Sequence, residues 1–346
     1  MQLYHFAAFA IAAITVLFTT PWVRHLGLKF GRVDLPGERK VHDRPMVRLG
    51  GVSIFLGNLI ALLIVWKTGG FGWLPPHEEY QIWGITLGGL AFFLIGLADD
   101  FFNLSAFNRL LLQMTIATIV WNVGVQIKFL SLPWGGLVSL PEGVSLMLTV
   151  LWLVGMCNAI NWIDGLDGLA AGVSGIAAVV MLLACLFMNQ TAAALIAAAL
   201  AGGTLAFLRY NFNPAQIFMG DGGSYYLGFT LAGVGIVGLV KSVTTVAVVL
   251  PYLILAVPLV DMSAVIIDRL RCGKSPFAAD KRHLHHRLLN AGLSHRFTVI
   301  FIYCLTLWVG SLSLAMMGIP SGYVYAIVAT LLLSYTSWQA RRQANR

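Results

Sequence analysis

Long apolar stretches recur from one end of the chain to the other, and they restrict its fold more than any other feature. Eleven runs stand out, at approximately 3–23, 50–66, 82–98, 108–124, 144–160, 168–188, 191–208, 224–240, 243–261, 297–317 and 321–338. They reach or approach the roughly 17–25 residues that a helix needs to cross a bilayer. A soluble domain is about 25% charged. This chain is 10% charged and 58% hydrophobic, which excludes that class. The expected fold is all-α: a polytopic membrane helical bundle of about eleven transmembrane helices, one integral-membrane domain over residues 1–346. The first run reads as a retained helix, because its basic residues follow it and no small-residue cleavage site does.

Charge orients such a bundle. With the N-terminus outside and the C-terminus cytoplasmic, the inner segments are 24–49, 99–109, 161–167, 209–223, 262–296 and 339–346. These hold nineteen of the twenty-two Lys and Arg residues, leaving Lys67, Lys128 and Lys241 outside. That is the bias of the positive-inside rule. The net charge of +8 is thus topological and implies no nucleic acid, although a basic inner face also suits anionic membrane lipid. Cys157, Cys185, Cys272 and Cys304 lie in or beside apolar runs without C-x-x-C spacing, so neither a disulfide nor zinc is implied.

Against this background the ionisable clusters carry the chemistry, since charge at membrane depth is costly and usually functional. All of them fall on the predicted cytoplasmic side. Asp99-Asp100 end the third run, where an acid pair opposes the negative end of the helix dipole and needs a cation, a metal or Arg109. Asn161, Asp164 and Asp167 recur at every third position between two runs, and continued helix would stack them on one side. Gly220-Asp221-Gly222 opens the eighth run, where Asp221 is either part of an anion-friendly nest or a plain helix cap. The longest inner loop holds His283, His285, His286 and Arg287, with Asp280 nearby. That composition suits a diphosphate and sugar hydroxyls better than zinc. Carboxylates converging on one face suggest a divalent cation and a phosphate-bearing substrate.

Five ordered motifs between about Asp34 and Arg296 resemble the polyprenyl-phosphate N-acetylhexosamine-1-phosphate transferase family (glycosyltransferase 4). They are D-x-P-G-x-R-K-x-H at 34–42, Asp99-Asp100, N-x-x-D-G-x-D-G-L-A at 161–170, N-x-x-P-A-x-x-F-M-G-D at 211–221 and H-L-H-H-R at 283–287. The resemblance implies that Asp167 and Asp221 are magnesium ligands, with manganese as a substitute. It places Asp99, Asp100, Asp164 and Asp167 in the catalytic machinery, Asp99 as the base toward the lipid phosphate. Lys40, His42, Arg109, Asn161, Asn211, Phe218, His283, His285, His286 and Arg287 would contact substrates, Phe218 by stacking on uracil.

The histidine motif resembles the N-acetylglucosamine branch. Asn103 stands where the phospho-MurNAc-pentapeptide translocase carries Lys, which points the same way. The implied reaction moves GlcNAc-1-phosphate from UDP-GlcNAc to undecaprenyl phosphate, releasing UMP. It would be the first membrane step of a cell-envelope polysaccharide pathway, catalysed by a multi-pass protein of the cell inner membrane. UDP-MurNAc-pentapeptide and other UDP-HexNAc donors stay open, as does oligomeric state, a homodimer included. An aromatic prenyltransferase lacks support, since N-D-x-x-D-x-x-x-D spacing is absent from both halves. A cation-coupled transporter predicts inverted repeats, and none is visible.

Overall fold

The computed structural model describes residues 2–31, 33–34, 45–132, 136–239, 245–275 and 282–344. These form thirteen α-helices and two short antiparallel hairpins. In chain order the helices are α1 (Gln2–Lys29), α2 (Gly50–Lys67), α3 (Pro76–Phe102), α4 (Ala106–Asn122), α5 (Glu142–Ile163), α6 (Leu169–Phe187) and α7 (Thr191–Asn211). They continue with α8 (Gly220–Val234), α9 (Thr245–Ile254), α10 (Ala256–Arg271), α11 (Leu284–Asn290), α12 (His295–Met316) and α13 (Pro320–Ala344). A π-turn at Gly235–Leu239 extends α8. Strands β1 (Val33–Asp34) and β2 (Met46–Val47) pair ahead of α2, and β3 (Phe129–Leu132) pairs with β4 (Gly136–Ser139) ahead of α5.

The all-α membrane fold expected from sequence is present, but the count of eleven spans is not reproduced. Eight of the described helices are long and apolar enough to cross a membrane: α1, α2, α3, α5, α6, α7, the extended α8 and α12. The run at 243–261 is not one helix, because α9 ends at Ile254 and α10 starts at Ala256. Pro258 accounts for the break: it lacks the N–H that would bond to the Ile254 carbonyl. Backbone bonds from Leu255 N–H to the Pro251 carbonyl (3.0 Å) and from Leu259 N–H to Leu255 (3.2 Å) carry the chain past it. The run at 108–124 yields α4, whose 17 residues stand at the lower limit for a span.

Helix α8 is the axis of the bundle, with its apolar window buried throughout. Glycine lets its neighbours come close. A Cβ on Gly96 of α3 would lie 2.3 Å from the Asp221 carbonyl oxygen, and one on Gly51 of α2 would lie 2.4 Å from the Gly223 Cα. Close backbone approach at small residues is how helices pack where lipid supplies no hydrophobic drive. Interhelical polar bonds add to it: Asn58 donates to the Tyr226 hydroxyl at 3.0 Å, and Asn158 donates to Gln113 Oε1 at 2.8 Å.

The consequence for function is positional. The ends of α3, α5, α7 and α10 meet the starts of α2, α6, α8 and α12 at one end of the bundle. Strand β2 fastens that end together: Phe218 N–H donates to the Val47 carbonyl (2.8 Å), while Gly50 and Gly51 N–H donate to the carbonyls of Phe218 (2.9 Å) and Met219 (2.8 Å).

Candidate active site

Asp99 and Asp100 sit in the last turn of α3, which runs on to Phe102 and stops at Asn103, a left-handed residue with φ of 49°. Both acids find the cation that the helix dipole demands, and each finds a different one. Arg109 of α4 pairs with Asp99, while the Arg48 guanidinium lies 3.6 Å from Asp100 Oδ1. Gly222 N–H donates to Asp100 Oδ2 at 3.2 Å. Asp100 Oδ1 is buried and receives no hydrogen bond among the described residues.

Asp221 is not a helix cap. The cap position is Met219, and Asp221 lies inside the first turn of α8. Gly220 before it has φ of 77°, and a Cβ there would strike the Arg48 carbonyl at 2.2 Å, so only glycine fits this entry to the helix. Asn161 donates to Asp221 Oδ1 at 2.9 Å and to Ser224 Oγ at 2.9 Å, and Arg48 reaches Asp221 Oδ1 at 3.7 Å. Arg48 therefore stands between Asp100 and Asp221, two carboxylates from different helices.

Asn161, Asp164 and Asp167 do not share a helical face. Helix α5 ends at Ile163, Asp164 caps it with ψ of 45°, and Gly168 (φ of 79°) turns the chain into α6. Two Asp-Gly steps break the helix, which is why the three-residue spacing misleads here. The turn is pinned on the far side instead. Asp167 Oδ2 accepts from Asn213 Nδ2 (3.0 Å) and Ala215 N–H (3.0 Å), and Asp167 N–H donates to His295 Nε2 (3.1 Å). Gly168 N–H donates to Asn211 Oδ1 (3.1 Å), Asn211 Nδ2 donates to the Ile217 carbonyl (3.0 Å), and Tyr303 donates to the Gly168 carbonyl. Asn211 is thus buried and bonded to backbone at both ends of its amide. Desolvation, then the charge of Asp221, pushes the Asp164 carboxyl up to about 7.

The histidine segment closes the other side. His283 and His285 are buried, and the His286 ring lies tilted against His285, with centroids 4.3 Å apart and planes at 43°. His283 Nδ1 and Leu284 N–H both bond to Asp261 of α10. Desolvation, then the neighbouring rings of His286 and His283, holds the pKa of His285 down at about 3, so that ring is neutral near pH 7. Arg287 is exposed and lines an open cleft of about 1020 Å³ with Arg271, Arg282 and apolar side chains of α10 and α12. Phe218 is half-buried beside Asp221. Lys40, His42 and Asp280 lie outside the described residues.

The site thus joins Asp99, Asp100, Asn161, Asp164 and Asp221 through Arg48 and Arg109, with Asp167 at its edge. Four carboxyls, those of Asp99, Asp100, Asp164 and Asp221, face two arginines, an excess of acid groups that favours a further cation. Among the described residues, no three His, Cys, Asp or Glu side chains could hold a metal by themselves. Magnesium asks for less: it is commonly bound by one or two carboxylates together with substrate phosphates and water. The all-oxygen donor set and the orphaned Asp100 Oδ1 fit that ion.

Sequence reading missed Asp261, His295 and Tyr303. Only Asp261 left a signal, as an acid at the end of an apolar run.

A family model for glycosyl transferase family 4 matches residues 82–239. The chain is 39% identical over 337 residues to the probable undecaprenyl-phosphate N-acetylglucosaminyl 1-phosphate transferase of Bacillus subtilis, covering 96% of this chain and 86% of that protein. It is 36% identical to the decaprenyl-phosphate N-acetylglucosaminephosphotransferase of Mycolicibacterium smegmatis, over 86% of this chain and 78% of the relative. Identity to the undecaprenyl-phosphate alpha-N-acetylglucosaminyl 1-phosphate transferase of Salmonella typhimurium is 32%, over 83% of this chain and 77% of that enzyme. Similarity of this depth, running through the carboxylate-bearing helix ends, makes the chain a member of glycosyl transferase family 4.

Proposed function

We propose that the protein transfers GlcNAc-1-phosphate from UDP-GlcNAc to undecaprenyl phosphate at the cytoplasmic face of the inner membrane. A terminal oxygen of the lipid phosphate attacks the sugar-bearing phosphorus of the donor. A new diphosphate bond forms, the bond to the uridine-bearing phosphate breaks, and UMP leaves. The observation that carries this reading is the gathering of Asp99, Asp100, Asp164 and Asp221 around Arg48 and Arg109 at one end of a lipid-embedded bundle.

The residues divide the work. Two phosphates must approach each other, so positioning and charge neutralisation supply most of the catalysis. Arg48 and Arg287 offer guanidinium donors suited to phosphate oxygens. Asp99, held by Arg109, would take a proton from the acceptor phosphate. Asp221 and Asp167 would hold magnesium, which supplies shielding of the donor diphosphate when bound. Asn161 fixes the Asp221 carboxylate through its 2.9 Å bond, and Gly220 permits the turn that delivers it.

The test uses purified protein in detergent with a panel of UDP-sugars and polyprenyl phosphates of different length, read by UMP release. UDP-GlcNAc with undecaprenyl phosphate should be the preferred pair, and D221N should abolish turnover while leaving the protein folded. Preference for UDP-MurNAc-pentapeptide or UDP-GalNAc, or full activity in D221N, would contradict the donor or the metal assignment respectively.

A further inference from the structure

We infer that Asp261 and His283 form a positioning pair that sets the H-L-H-H-R segment against the turn carrying Asp164 and Asp167. Asp261 is a buried acid on α10, outside every motif that marks the site. Its two oxygens are both used: Oδ2 lies 2.8 Å from His283 Nδ1, and Oδ1 accepts from Leu284 N–H at 2.7 Å. One carboxyl group therefore fixes a side chain and, at the next residue, the first backbone N–H of α11. That N–H is one of the donors a helix start leaves unsatisfied. The capping residue His283 makes no side-chain cap bond itself, so Asp261 does this from another helix.

A carboxylate facing a ring nitrogen fixes the tautomer. Asp261 offers only acceptors, so His283 Nδ1 carries a proton, and in the neutral ring the lone pair is then on Nε2. The ring plane is then set, and it is passed on. His283 lies edge-on to Trp162 (5.8 Å between centroids, 71°) and nearly parallel to His285 (5.8 Å, 8°). The Trp162 ring is covered on its own account by Arg269, 4.9 Å from its centroid. His285 in turn abuts Gly165, where a Cβ would sit 2.6 Å from its Nε2. That nitrogen is buried without a hydrogen-bond partner among the described residues. Gly165 lies between Asp164 and Asp167, so the series Asp261, His283, His285, Gly165 ends on the carboxylate turn itself.

Asp261 touches no substrate in this account. It acts through His283, and its effect on turnover rests on the proposed transferase reading, whereas the tautomer does not. The decisive experiment labels histidine nitrogens in the full-length protein in micelles and assigns His283 by its loss in H283Q. Wild type should show His283 protonated on Nδ1, and D261N should shift or mix that tautomer. In UMP release, D261N should lower kcat about 10- to 100-fold, the range for removing the partner of a functional histidine, with little change in the donor KM. D261E should recover part of the loss, and the double variant D261N/H283Q should be no slower than the slower single variant. A wild-type His283 protonated on Nε2 with Nδ1 bare would overturn the pair, as would losses that multiply in the double variant. Should D261N fail to fold, the wild-type tautomer still decides. Should wild type release no UMP from any donor, the transferase reading fails while the tautomer still tests the pair.

Discussion

Arg48 is the residue on which most of the site's electrostatics turns. It stands 3.6 Å from Asp100 and 3.7 Å from Asp221, and without it two largely buried carboxylates on adjoining helices repel one another. We expect R48Q to lower turnover by about 10²-fold, the scale of losing one preorganised donor, and R48K to fall between; UMP release by R48Q close to wild type would remove Arg48 from the site. His285 makes a different prediction. Its folded pKa of about 3 lies below the ordinary 6.5, so between these values the unfolded chain binds a proton that the folded chain refuses. The ring's own contribution to stability is nil above pH 6.5 and grows unfavourable as pH falls from 6.5 toward 3. Asp164, whose carboxyl is pushed up to about 7, pulls the other way over the same window, so the ring is read by difference. The melting temperature of wild type minus that of H285Q should fall from pH 8 to 5, and a difference that stays level would contradict this. At this scale the sequence revealed residue types but not partners. Asp99 with Arg109 was legible because ten residues separate them. Asp100 with Arg48, and Asp261 with His283, were not, because only the folded bundle makes them neighbours.

Among the elements, the junction of α3 with α8 sets the site. Gly96 is the contact that lets the Asp100 turn reach the Asp221 turn, and an added Cβ would stand 2.3 Å from the Asp221 carbonyl oxygen, a backbone atom with little room to yield. G96A should destabilise by about 1–3 kcal/mol through overpacking and lower turnover as well. G143A is the control, since no atom lies within 4 Å of a Cβ there. Equal melting temperatures for the two variants would contradict this packing. Helix positions were legible in the sequence wherever a long apolar run stood alone. The exceptions have local causes. Pro258 divides the run at 243–261, and paired Asp-Gly steps end α5 before Asp164, placing Asn161 and Asp167 on opposite sides of a turn. Periodicity reports helical faces only while the helix lasts.

For the molecule as a whole, apolar helices hold a polar site at one end of a bundle, and the site's chemistry is that of oxygen ligands and guanidinium groups. The membrane class was readable from composition, because no soluble fold tolerates so few charges, and the family from five ordered motifs. The geometry within the site was not, because Asp221, Asn161 and Arg48 are brought together from segments far apart in the chain. The central claim is that these groups transfer a phosphate-linked sugar with the help of a divalent cation. It is tested most directly by UMP release from UDP-GlcNAc and undecaprenyl phosphate by the purified protein, with magnesium or with EDTA. UMP formation that requires the lipid, stops with EDTA and returns with magnesium is the predicted result. Release that is indifferent to EDTA would contradict the metal's part in the account, and no release from folded protein would contradict the account itself.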